Sequence, residues 1–170
     1  MGYFATRLTQ WSAAITPFFT GVFLIFLSLM PFNISGGLFA TPAFPLMAIY
    51  FWALYRPDLM PPAAVFALGI LYDFMTSGFL GLSSFIYLVT FAFVSAQRGE
   101  LMNRAHHRVW LAFGLVMSVA AVTSWLFVSV VFSEFLAPWP FLAQCIVSVL
   151  IYPLVGKVLA IFHSRLPREF

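Results

Sequence analysis

The sequence predicts an all-α integral membrane protein, a bundle of six transmembrane helices with both termini in the cytoplasm. Three observations carry this reading. Of 170 residues, 63% are hydrophobic and 8% charged, whereas soluble domains are nearer half apolar and a quarter charged. Residues 8–55 and 135–156 hold no charge at all, and uncharged apolar runs of that length read as membrane spans. Finally, all eight Lys and Arg fall on one side of a bilayer when the chain crosses it six times, as the positive-inside rule requires.

The first span is expected at residues 13–31, ended by the turn-forming run Asn33-Ile34-Ser35-Gly36-Gly37. It is longer than the apolar region of a signal peptide and is expected to be retained. A second covers 38–55, with Pro42 and Pro45 in its first turns, where a missing N–H is best tolerated. Arg56-Pro57-Asp58 closes it, and Pro61-Pro62 opens a third over 61–77. Gly78 and Gly81 mark a tight turn into a fourth, 79–96. A polar loop, 98–108, leads to the fifth, 110–132; Glu134 and the Pro138-Trp139-Pro140 turn separate it from the sixth, 141–162. The connections are short, so the chain is read as one membrane domain, 1–170, in which sequential helices pack as antiparallel neighbours.

The third span depends on crossing Asp73, because stopping before it leaves only the fourteen residues 59–72. Charge decides. With six spans, Arg7, Arg56, the Arg98, Arg104 and Arg108 loop, and Lys157, Arg165 and Arg168 share the cytoplasmic side. Merging the third and fourth spans divides the same residues two against six, a poorer fit.

Several functions are excluded by composition. The net charge of +3 is scattered over short loops and makes no stripe to track nucleic acid. Cys145 is the only cysteine, so neither an internal disulfide nor a multi-cysteine metal site is possible, and no metal or other cofactor is expected. An intramembrane aspartyl protease needs two carboxyls, and Asp73 has no membrane counterpart. Ser83 and Ser84 fall at the outer face, whereas His106, His107 and His163 fall at the inner one, so no nucleophile and base meet. No catalytic residue is expected. The His106-His107 pair among arginines reads as a basic loop attracted to anionic head groups of the lipid bilayer.

Asp73 is the one ionisable residue well inside a span, and its cost in lipid turns it toward protein or water. Gly69, Asp73 and Ser77 recur at i, i+4 and i+8, which places a small residue, a carboxyl and a hydroxyl on one helix face. Small residues there admit another helix, and the carboxyl can hydrogen-bond across the contact or to backbone freed at Gly78. The expected role is a structural lock between the third and fourth helices, with proton carriage or ligand contact as alternatives.

The second to fourth spans carry a longer pattern. It comprises Phe51-Trp52 and Pro57, then Phe66, Gly69 and Asp73 in F-x-x-G-x-x-x-D, then Gly78, Leu80-Gly81 and Tyr87. In order and spacing these resemble the rod-shape-determining MreD family. The resemblance implies a non-enzymatic subunit of the bacterial inner membrane that binds MreC. It would lie beside the glycosyltransferase RodA, its penicillin-binding transpeptidase and the actin-like MreB, and help organise peptidoglycan synthesis. It also implies a fold similar to the substrate-binding subunits (S-components) of energy-coupling-factor vitamin transporters, which supplies the alternative function of solute binding.

Overall fold

The computed structural model describes residues 16–30, 41–102, 106–133 and 137–164. Among them are six α-helices: α1 (Thr16–Ser28), α2 (Phe44–Tyr55), α3 (Pro62–Met75), α4 (Leu82–Met102), α5 (His106–Phe132) and α6 (Trp139–Ser164). A single 3-10 turn, Pro57–Leu59, follows α2, and no strand occurs among the described residues.

α2 organises the bundle. Its sequence is apolar on every side, so it has no polar face to turn outward, and a helix of that kind belongs in a core. Every residue of it from Phe44 to Leu54 is buried. It packs against α4 and α6, which corrects the expectation that it would sit chiefly on its sequence neighbour α3. α3 lies against α4, α4 against α5, and α5 against α6.

Contacts fix the directions. Ser28 donates to the Pro42 carbonyl at 3.4 Å, and Trp52 donates to Thr20, so α1 and α2 are antiparallel. The Ala43 N–H donates to Ser148 at 2.9 Å, and Tyr50 meets Tyr152 further along, so α2 and α6 run parallel. Trp110 reaches Val149 and Ser118 reaches Cys145, which makes α5 and α6 antiparallel. Arg56, Arg98, Arg108 and Lys157, the described cations, therefore gather at one end of the bundle.

Helix ends differ from the expected spans in instructive ways. α2 begins at Phe44, with Pro45 in its first turn, and is only 12 residues long, about 18 Å at 1.5 Å per residue. The earlier part of that expected span, 38–40, lies outside the described residues, as do 13–15 and 31 of the first. α4 starts at Leu82 rather than 79, for a reason given below, and continues to Met102. The expected polar loop 98–108 is therefore mostly helix, since Gln, Arg, Glu, Leu and Met are good helix formers and need no burial once outside lipid. In α6, Trp139 and Pro140 belong to the first turn rather than to the preceding loop, because a proline there has no intrahelical N–H to lose. α5 and α6 are the two described helices individually long and apolar enough to cross a membrane; α1, α2 and α3 are shorter.

Much of the exterior is apolar. On α5, Leu111, Leu115, Val119, Val122, Leu126 and Val130 form an outward stripe, each at least half exposed. Phe19, Phe23 and Phe26 do the same on α1, and Leu142, Ile146, Leu150 and Leu154 on α6. A water-soluble monomer does not expose apolar surface on this scale.

Candidate functional site

The hairpin of α3 and α4 brings together most of the residues singled out from sequence. α3 ends in a Schellman-type stop: the Gly78 N–H donates to the Asp73 carbonyl at 3.0 Å, with Ser77 left-handed at φ 51°. The chain turns through Gly81, whose φ of +99° is a conformation glycine adopts without strain. α4 then starts, its first helical bond running from the Phe85 N–H to the Gly81 carbonyl at 2.9 Å.

Asp73, 3% exposed, reaches across this turn. Its Oδ2 accepts the Gly81 N–H at 2.7 Å and its Oδ1 the Ser83 N–H at 3.3 Å. Both donors belong to the start of α4, where helix N–H groups lack intrahelical partners and the helix dipole favours negative charge. The carboxylate is thus an N-cap supplied from another helix. This explains why α4 begins at Leu82: Phe79 and Leu80 are held in the turn that places Gly81 and Ser83 on the carboxylate.

Gly69 stands one turn earlier on the same face. A Cβ added there would come within 2.3 Å of the Ser84 Cα and 2.6 Å of its N, so the two backbones touch. Ser84, itself buried, donates from Oγ to the Phe66 carbonyl at 3.2 Å. Ser77 corrects expectation: it lies beyond the end of α3, exposed in the turn, and does not continue the face of Gly69 and Asp73.

The other pattern positions are dispersed. Trp52 is fully buried and donates from Nε1 to Thr20 Oγ1 at 3.0 Å, while Thr20 donates to the Pro17 carbonyl at 2.8 Å. Tyr87 is buried and its ring lies 6.1 Å from that of Tyr72 beside Asp73. Pro57 opens the 3-10 turn, in which Arg56 pairs with Asp58 at 3.2 Å. Phe66 points outward, 49% exposed.

Sequence reasoning missed a second junction, at the charged end. Pro153 lies inside α6, so the Val149 carbonyl loses the N–H four residues on. Trp110 supplies the missing donor, its Nε1 lying 2.8 Å from that oxygen. The signal was available: a proline within an apolar span frees a carbonyl that must find a donor in lipid. Beside it, Tyr152 stacks on Phe113 at 4.1 Å, and Tyr50 donates to the Val109 carbonyl at 2.8 Å. Trp110→Phe should therefore cost about 1 kcal/mol of stability, and much less in a Pro153→Ala background, where the helix supplies its own donor. A double-mutant cycle on detergent melting checks this; additive losses would mean that the indole does not serve the proline gap.

Two open grooves, one of about 280 Å³ between α4 and α5 and one of about 410 Å³ between α1 and α6, are lined almost wholly by apolar side chains, and Asp73 lines neither. Among the described residues no cluster of His, Cys, Asp or Glu could hold a metal.

Helices apolar outside as well as inside, locked by polar groups that serve backbone, define an all-helical membrane protein. A family model described as rod shape-determining protein MreD matches residues 6–162, and the chain belongs to that family, whose role is in cell shape. No curated protein and no solved structure matches the chain, so the expected likeness to vitamin-transporter subunits is without support.

Proposed function

We propose that the chain is a non-enzymatic subunit of the cell-elongation assembly of the bacterial inner membrane, crossing it six times with both termini inside. Its outward helix faces bind the membrane segment of MreC and adjoin RodA, its penicillin-binding transpeptidase and, on the cytoplasmic side, MreB. Through these contacts it helps organise peptidoglycan synthesis along the cell cylinder. The observation that carries this reading is family membership over residues 6–162. It is supported by the engagement of Asp73, whose two oxygens both accept backbone N–H groups at the start of α4; a carboxylate used in this way is a packing element. The gathering of described cations at one end supports assigning that end to the cytoplasm.

Purification of the tagged chain from its native membrane in mild detergent, with mass spectrometry of proteins and extracted small molecules, tests the proposal. MreC with cell-wall synthases, and no stoichiometric solute, is the expected result. A vitamin-like solute or ATPase subunits in place of cell-wall proteins would overturn it.

A further inference from the structure

At the charged end, α2, α5 and α6 enclose a crevice of about 370 Å³. Its walls are aromatic and its mouth carries a cation. Phe51, Tyr55, Trp110 and Tyr152 line it together with Pro153, Gly156, Lys157 and Ala160. The walls are fixed by the contacts already described, Trp110 on Val149 and Tyr152 stacked on Phe113. Open space lies beside Gly156, where an added Cβ would meet nothing nearer than the Tyr152 ring at 4.0 Å.

Lys157 has no carboxylate within ion-pair distance among the described residues; the ion pair at this end joins Arg56 to Asp58. The crevice therefore offers an ammonium beside a mainly apolar slot. A small soluble anion would gain one charged contact and leave the aromatic wall unfilled. A lipid phosphate brings its own chain.

We propose that this crevice is a binding site for an anionic phospholipid, with the phosphate at Lys157 and part of an acyl chain against Phe51 and Pro153. The site depends on both charge and shape. The bilayer supplies the ligand laterally, and the exposed edge of Trp110 lies at its rim.

The test uses the full chain in phosphatidylcholine vesicles, with tryptophan quenching by dibrominated phosphatidylglycerol compared against dibrominated phosphatidylcholine. One well-placed cation near the head groups corresponds to a preference of about fivefold for the anionic lipid. Lys157→Gln should bring the ratio close to one. Gly156→Leu, which keeps the charge but fills the slot, should do the same, and Arg98→Gln on α4 should leave the wild-type ratio unchanged. Equal quenching by the two lipids in the wild type would overturn the site. So would equal losses from Lys157→Gln and Arg98→Gln, which would indicate only general attraction to a charged surface, or a full preference surviving in Gly156→Leu.

Discussion

Gly69→Leu should prevent α3 and α4 from closing, and even Gly69→Ala should lower the melting temperature in detergent sharply. At an open helical site, replacing glycine by alanine stabilises by up to about 1 kcal/mol. At residue 69 the sign reverses. The new Cβ would lie 2.3 Å from the Ser84 Cα and 2.5 Å from its Oγ, and backbone cannot rotate aside as a flexible side chain does. Separating the helices would lengthen the Ser84 bond to the Phe66 carbonyl and draw Asp73 away from Gly81 and Ser83. Overpacking alone costs about 1–3 kcal/mol, and those polar losses add to it. Gly99→Ala is the matched control, because nothing lies within 4 Å of a Cβ there; it should leave stability unchanged or raise it slightly. Equal melting temperatures for the alanine variants at 69 and 99 would show that the close approach is not needed.

Asp73→Leu should be nearly as damaging, by a different route. It leaves the Gly81 and Ser83 N–H groups without their acceptor, and loss of a hydrogen-bond partner of this kind costs about 1–3 kcal/mol. The variant should unfold at lower temperature and return less intact complex. Asp73→Asn keeps one carbonyl acceptor, which can still serve Gly81, and so should lose about half as much. The ordering wild type, Asn, Leu distinguishes a cap from a carrier of protons: a carrier would lose function in Asn with stability intact. A Leu variant as stable as wild type would remove the capping role altogether.

Both effects were partly legible beforehand. The pattern F-x-x-G-x-x-x-D placed Gly69 and Asp73 on one face of α3, and the elementary cost of a charge in lipid turned that face toward protein. Ser77 was misassigned because helical spacing was extended two residues past the end of the helix. The Schellman stop at Gly78 and the left-handed Ser77 end α3 at Met75, and period alone cannot reveal where a helix stops. The glycines at 78 and 81 predicted a turn correctly, but the start of α4 was placed three residues early. What fixes it is a carboxylate eight residues before Gly81, a contact across a turn rather than a property of the local sequence.

The sequence by itself determined the class of protein, since a chain so poor in charge and so rich in uncharged runs has no stable arrangement in water. It also indicated six helices, the number found among the described residues, and the gathering of Arg56, Arg98, Arg108 and Lys157 at one end. It left open the order of packing. α2 is an ordinary neighbour of α1 and α3 along the chain, yet it takes the centre, buried from Phe44 to Leu54, with α1, α4 and α6 rather than α3 packed against it. Tertiary structure likewise decided that Trp110 answers the gap at Pro153 and that Asp73 caps α4. Each pairing satisfies a backbone group that the membrane cannot hydrate, and the partner comes from whichever helix packing brings near.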